Sequence, residues 1–412
     1  MTPGGVWDRA RCEALDRDDP VAHVRERFVL PEGIVYLDGN SLGALPRSVP
    51  ARLDEVATKE WGAGLVGSWE QWMSLPEQVG DKIARLIGAG KGEVVVIDST
   101  TIALVKVLAA AVRARPGRHV VLTSVTNFPS DLYAATGVAR LLGDVEVRTV
   151  EPADIDKVLD ETVAALLLTH VDFRTGELFD LARLTAAAHS VGALAVWDLC
   201  HSAGAVIVDC ERTGVDLAVG CSYKYLNGGP GAPAFAYVRR HLQATLENPL
   251  PGWLGHAAPF DFDATYSAAT GIRGFVTSTP AILGLSALDS ALDAFDGLTM
   301  EEIRQKSVSL TELFLASLEE RQLPGLQLAS PRQPAQRGSQ VALRHSDGYA
   351  VVQALISRGV VADFRAPDLC RFGFSPLYVR HVDVFEAVEQ LETVIGTKEY
   401  TDDRFSRRRA VT

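Results

Sequence analysis

The sequence predicts an α/β protein, with a large domain on a mainly parallel seven-stranded sheet and a smaller α+β domain at its C-terminal end. Three observations predict it. Seven short apolar, β-branched runs fall between residues 94 and 238; Ala- and Leu-rich stretches of helical periodicity separate several of them; and the texture changes beyond about Pro280. Strands that are apolar along their whole length are buried on both faces, and helical crossovers supply the cover.

Taken in chain order, Met1–Pro20 is charged and lacks the apolar core of a signal peptide, which predicts a cytoplasmic protein. Tyr36–Pro46 (YLDGNSLGALP) is a Gly- and Asn-rich loop, and residues 1–46 are expected to join the small domain. The large domain is expected over 47–290. It opens with a helix at Ser48–Glu60, and its strands are Val94–Asp98, His119–Thr123, Val145–Val150, Ala164–Thr169, Leu194–Asp198, Leu217–Ser222 and Ala234–Val238. Ile102–Arg113 and Leu181–His189 are its clearest crossover helices. A long helical run, Ala281–Leu298, passes into Glu301–Glu320, and the small domain (291–412) continues with Gln340–Arg344, Gly348–Ser357, Leu369–Phe374 and Asp383–Ile395.

Composition excludes several functions. The 412 residues carry a net charge of −12 with Lys and Arg scattered, so no basic face is available for nucleic acid or an anionic membrane. The exception is Arg404–Arg409, where four arginines lie together; a frayed, solvated terminus is expected there. No segment reaches the roughly 18 apolar residues that span a bilayer. The five cysteines (Cys12, Cys200, Cys210, Cys221, Cys370) form no CxxC pair, and the nine histidines show no HxH or HxxxH spacing, so neither disulfides nor a metal site is expected. No GxGxxG opens a βα unit, which disfavours a nicotinamide dehydrogenase.

The chemistry concentrates in Leu194–Tyr237. One apolar strand delivers Asp198 at its C-terminal end, where ligands bind in open α/β sheets, and His201 follows three residues later. The next strand delivers Tyr223 and Lys224 ahead of Tyr225-Leu-Asn-Gly-Gly-Pro-Gly. A lysine at a strand end before a glycine-rich turn is well placed to condense with an aldehyde, given a pKa depressed by burial or a neighbouring cation. Pyridoxal phosphate also needs a carboxylate against its pyridine nitrogen, and Asp198 is the candidate. Alone, a strand-end Asp is more often a helix N-cap and GGPG is only a turn; the ordered constellation on adjacent strands is what points to the cofactor.

A phosphate site should accompany the lysine. Val94–Ala103 (VVVIDSTTIA) runs from a strand into a helix start that presents Thr100 and Thr101, an arrangement that binds anions or simply caps the helix. The loop Asn127–Asp131 places Phe128 where it could stack on a flat ring. Ser130 and Asp131, taken alone, read as helix caps.

These blocks resemble kynureninase, within the fold-type I, aminotransferase class V group of pyridoxal-phosphate enzymes. The resemblance runs from Tyr36 to Leu391 through YLDGNSLG (36–43), DSTT (98–101), NFPSD (127–131), WDLCHSAGAV (197–206), SYKYLNGGPG (222–231), GWLGH (252–256) and RFGFSPLY (371–378). It implies an aspartate-aminotransferase-like large domain and hydrolysis of L-kynurenine to anthranilate and L-alanine in tryptophan degradation. It casts Lys224 as the Schiff-base lysine and Asp198 as the pyridinium partner, with His201 supporting the ring hydroxyl and carboxylate. Thr100, Thr101 and Tyr223 would hold phosphate, and Phe128, Ser130, Asp131 and Thr169 would complete the cofactor site. Trp253 and Thr279 would reach that site from the partner subunit of a homodimer. Arg371 would bind the substrate α-carboxylate, with Ser41 on the substrate side.

Trp69 and Thr279, where animal relatives carry His and Asn, imply a preference for kynurenine over 3-hydroxykynurenine. Cys200 departs from a frequent Ala and is expected to pack. Tyr223 could donate or accept a proton, or be structural only. The rival readings are a cysteine desulfurase, a class V aminotransferase and a non-catalytic pyridoxal-phosphate-binding homologue. The first needs a reactive late cysteine, whereas Cys370 reads as part of a buried strand. Asp198, Lys224 and Arg371 together speak against the last.

Overall fold

The computed structural model describes residues 7–408. Met1–Val6 of the charged N-terminal stretch and Arg409 of the arginine cluster lie outside them. The large domain is built on β1 (Val94–Ile97), β2 (Val120–Ser124), β3 (Glu146–Val150), β4 (Val163–Thr169), β5 (Leu194–Asp198), β6 (Leu217–Gly220) and β7 (Ala234–Val238). They hydrogen-bond in the order β1-β7-β6-β5-β4-β2-β3. Every strand but β3 is buried along its whole length, as fully apolar runs demand. The edge strand β3 is only partly covered, and its Glu146–Arg148 pair puts charge on the edge, which blocks further strand addition.

Six strands run the same way, and β7 is antiparallel to both β1 and β6. The reversal goes with the lack of a crossover helix. Parallel neighbours need a crossover of a dozen or more residues, and the β6–β7 connection is about that long yet holds no helix. The chain therefore turns back, and Lys224 rides on that turn. Because β1, β2, β4, β5 and β6 point the same way, their C-terminal ends share one edge.

Helices α1 (Thr100–Arg113) and α2 (Pro129–Leu142) start at that edge. The small domain combines α3 (Met300–Arg321) and α4 (His381–Thr397) with an antiparallel sheet of β8 (Gln327–Leu328), β9 (Gln340–Arg344), β10 (Asp363–Arg365) and β11 (Leu369–Gly373), in the order β8-β9-β11-β10. The N-terminal segment lies on this sheet's side. Val35–Tyr36 pairs in parallel with Val360–Val361, Asp38 bridges to Gly373, and the helix Arg9–Arg17 packs on α4.

Three local expectations are corrected. The helix expected at Ser48–Glu60 is α-helical over Val49–Glu55 and widens into a π-helix over Val56–Gly64, ending where Leu65 takes φ 49°. The run from Ala281 is not continuous: Ile282–Leu292 ends in a 3-10 turn, Gly297 turns left-handed at φ 83°, and a Thr299–Glu302 capping box starts α3 afresh. The C-terminal arginines through Arg408 are solvated but docked. Phe405 is buried, Tyr349 Oη donates to the Arg407 carbonyl at 2.9 Å, and Arg408 lies over the Phe364 ring. Among the described residues no helix is long and apolar enough to cross a membrane.

Candidate active site

The shared strand edge opens into a cavity of about 370 Å³. Its floor comes from the end of β5 and the turn after β6, one wall from the start of α1, and the other from the loop into α2. Asp198, Lys224, His201, Tyr223, Thr100, Thr101, Phe128, Ser130, Asp131 and Thr169 all line it.

Lys224 Nζ lies 2.9 Å from Nε2 of His201 and under the rings of Phe128 and Tyr223, with centroids at 5.9 and 5.7 Å. Burial disfavours its charge, but Cys221, Cys200, Tyr223 and Asp198 outweigh burial and move its pKa upward. The depressed pKa expected for this lysine is therefore corrected: the surrounding groups are acids, not cations. His201 goes the other way. Burial, then the charges of Lys224, Arg371 and Arg365, hold its pKa well below the usual histidine value. A neutral imidazole can thus accept from the lysine ammonium through Nε2.

Asp198 ends β5 and its Oδ1 accepts from the Cys200 N–H at 2.8 Å, so it both turns the chain and faces the cavity. Beside it, Asp131 is 2% exposed and its Oδ2 has no hydrogen-bond partner. Burial, then the charge of Asp198, pushes the Asp131 carboxyl well above the usual carboxylate range. Two adjacent carboxyl groups, one with an orphaned oxygen, suit a protonated ring nitrogen. Asn127 explains the position of this loop: its Oδ1 accepts from the Thr169 N–H at 2.7 Å and its Nδ2 donates to Thr123 Oγ1 at 3.1 Å. The loop is thereby tied to the ends of β2 and β4.

Thr100 and Thr101 form the first turn of the fourteen-residue α1, with Ser99 in extended conformation before it. Asp98 adopts φ 45° there and pairs at 2.5 Å with Lys106, which is buried within α1. The first-turn N–H groups of α1 have no intrahelical acceptors and lie at the cavity, where an anion fits. Cys200 packs as expected, its Sγ accepting from the Cys221 N–H at 3.1 Å. Cys370 is buried against the Gly348 carbonyl, and burial pushes its thiol up to about 12, the opposite of a reactive nucleophile.

Five of the named residues do not line the cavity. Ser41 and Arg371 sit together behind its Phe173 wall. Trp69 is half-buried and packs edge-on against Trp72, with centroids 5.4 Å apart. Trp253 is 40% exposed against Phe260, and Thr279 is exposed; both lie on outer loops of the chain.

The sequence reading missed Phe173, which lines the cavity and packs edge-on to Phe128 at 4.9 Å. It also missed Asp363, and Gln340, which joins β9 to the Asn40 side chain and the Phe173 carbonyl. A signal existed for Asp363, a lone acid in the apolar run Val360–Phe364. Nothing marked Phe173.

The C-terminal part of the chain, residues 303–391, matches the family model described as the kynureninase C-terminal domain. Residues 70–220 match the DegT/DnrJ/EryC1/StrS aminotransferase family. Among solved structures, a cysteine desulfurase from Thermococcus onnurineus NA1 superposes with TM-score 0.77 at 18% identity, covering 91% of this chain and 98% of that one. The cysteine desulfurase CsdA from Escherichia coli gives 0.75 at 21%, covering 95% and 100%. These likenesses establish the fold. Among curated relatives, a kynureninase from Burkholderia pseudomallei is 47% identical over 98% of this chain and 99% of its own length. A kynureninase from Deinococcus radiodurans is 52% identical over 95% of this chain and 97% of its own length. At that identity over nearly its whole length, the chain belongs to the kynureninase family.

Proposed function

We propose that this chain hydrolyses L-kynurenine, and in second place 3-hydroxykynurenine, to the corresponding anthranilate and L-alanine with pyridoxal phosphate. The single observation that carries the reading is the Lys224–His201 contact inside a cavity that also holds Asp198, Asp131 and the start of α1. When bound, the cofactor supplies an aldehyde for the substrate amine and an electron-withdrawing protonated ring.

The chain's own groups do the rest. Lys224 would hold the aldehyde and, as the free amine, would take the Cα proton, with the neutral His201 oriented against its Nζ. Asp198 keeps the ring nitrogen protonated, with Asp131 beside it. The N–H groups and hydroxyls of Thr100 and Thr101, with Tyr223, hold phosphate, Phe128 covers a ring face, and Ser130 and Thr169 complete the wall. Burial pushes the Tyr223 phenol up to about 12, so at neutral pH it is a proton donor toward Cβ or the γ-oxygen. Water would add at the γ-carbonyl, and Cβ–Cγ would break with its electron pair left on Cβ, which takes up a proton, while the added oxygen leaves in the anthranilate carboxylate. Arg371 and Ser41 take the α-carboxylate.

The same reading makes the protein a cytoplasmic homodimer that serves tryptophan degradation, with Trp253 and Thr279 completing the partner's site. The exposure of Trp253, Phe260 and Phe262 supports an assembled state. It keeps an N-terminal segment (1–46), a large domain (47–290) and a small domain (291–412), and Trp69 and Thr279 at the aryl end favour kynurenine. The test is anthranilate release from purified protein reconstituted with cofactor, run with kynurenine and 3-hydroxykynurenine side by side. Release of alanine and sulfur from cysteine instead, with no anthranilate, would overturn it.

A further inference from the structure

In the small domain, β10 and β11 pair so that Asp363 lies directly opposite Arg371. Both side chains are 1% exposed. Asp363 Oδ1 accepts from Arg371 Nε at 2.6 Å, and its Oδ2 accepts from Nη2. The carboxylate therefore fills the side-on edge of the guanidinium with a two-point pair. Asp363 is itself held: Ser41 Oγ donates to its Oδ2 at 2.7 Å, and Arg365 Nη2 lies 3.0 Å from the same oxygen. Burial alone would push its carboxyl up, but Arg371 and Arg365 keep it below the usual range.

The end-on edge is held differently. Nη1 donates to the carbonyl of Phe173, and Nη2 reaches Ser41 Oγ at 3.3 Å, a long contact. A guanidinium has five N–H donors in a fixed fork, so an acceptor that fixes one edge fixes the direction of the other. Phe173 lines the cofactor cavity and packs on Phe128. The end-on edge of Arg371 thus faces Phe173, a residue of the Lys224 cavity wall.

We propose that Asp363 is the positioning residue for carboxylate recognition: it clamps the side-on edge of Arg371 so that the end-on edge receives the substrate α-carboxylate in place of the Phe173 carbonyl. This rests on the kynurenine-hydrolase reading above. Asp363 touches neither substrate nor cofactor and acts through the orientation of Arg371. A misplacement of about 1 Å in such a clamp costs up to about a hundredfold.

The test compares Asp363→Ala, Asp363→Asn and Asp363→Glu in the cofactor-loaded protein, using L-kynurenine as substrate and kynuramine, its counterpart without the carboxylate, as competitive inhibitor. Asp363→Ala is expected to raise KM for kynurenine at least about tenfold with kcat changed less than about threefold. The inhibition constant of kynuramine should move less than about twofold, and cofactor absorbance should stay unchanged. Glutamate should recover part of the KM loss. Asp363→Asn, which keeps one acceptor in the same volume, gives the same reading if alanine compromises folding. Equal losses for kynurenine and kynuramine, or an unchanged KM in a folded variant, would overturn the proposal. Absence of turnover by the parent protein would instead sink the functional reading, and the two failures are therefore distinct.

Discussion

At the scale of single residues, charge and burial divide the work. Lys224 stands among acids, and His201 is the neutral group set against it. Replacing Lys224 with Ala is expected to cut anthranilate release by about a hundredfold to ten-thousandfold; a stopped assay with saturating kynurenine measures it, and near-parental turnover would refute the lysine's role. Asp38 offers a pH prediction. Burial, then the charge of Asp363, raises its carboxyl from 3.8 to about 7, against the opposing pull of Ser41, Arg371 and Arg365. The folded state then holds a proton that the unfolded chain has released, so this group's contribution to stability falls as pH rises from about 4 to about 7. Asp38→Asn should therefore gain stability over the parent at pH 8 and not at pH 4, read as the shift in urea midpoint. The residues around Lys224 were legible because they fall in order on two adjacent strands. The direction of the lysine's pKa was not, because Cys200 meets it only in three dimensions and no pattern marks Cys221 and Tyr223 as turned toward it.

At the scale of elements, the strands were legible because all but β3 are mostly apolar along their length, and their ends were off by only a residue or two. The helix breaks were not, because Gly297 and the π-turn at Val56–Gly64 interrupt runs whose composition stays helical. The DGNSLG loop was recognised as a motif without its purpose. Gly43 explains it: its N–H donates to the Tyr223 carbonyl at 2.8 Å, and a Cβ there would sit 2.3 Å from the Lys224 carbonyl oxygen. Gly43→Ala is expected to push the Lys224 turn away, costing about 1–3 kcal/mol in urea denaturation together with most of the activity. Removing the buried ammonium of Lys106 by Lys106→Met leaves Asp98 without its partner at the start of α1. It should lower stability by up to about 3 kcal/mol and weaken cofactor retention, followed by dialysis and absorbance.

At the scale of the whole molecule, the open question in one chain is what covers its outer loops. Trp253, Phe260 and Phe262 are exposed at 40%, 60% and 79%, and Trp61, Leu65 and Val66 are exposed as well. On the homodimer proposal, a Phe260→Asp, Phe262→Asp double variant is expected to sediment as a monomer and to lose activity in proportion, because Trp253 and Thr279 would no longer serve a neighbouring copy. Retained activity in a clean monomer would refute shared sites. Residue patterning gave no sign of shared sites, since Trp69, Trp253 and Thr279 carry no periodicity or spacing that says which copy they face; that expectation came from the family resemblance alone.

The loop from Asp38 to Gly43 touches both domains at once. Its first residue bridges to Gly373 at the end of β11, Ser41 holds the carboxylate that clamps Arg371, and Gly43 is bonded to the segment that carries Lys224. The gap between the group that would read a substrate's acid and the group that would take its amine is therefore gauged by six residues of chain. Such a stretch spans no more than about 20 Å when extended. The loop is thus a tether between those two groups, and inserting one residue into it is expected to shift Ser41 against the turn that carries Lys224.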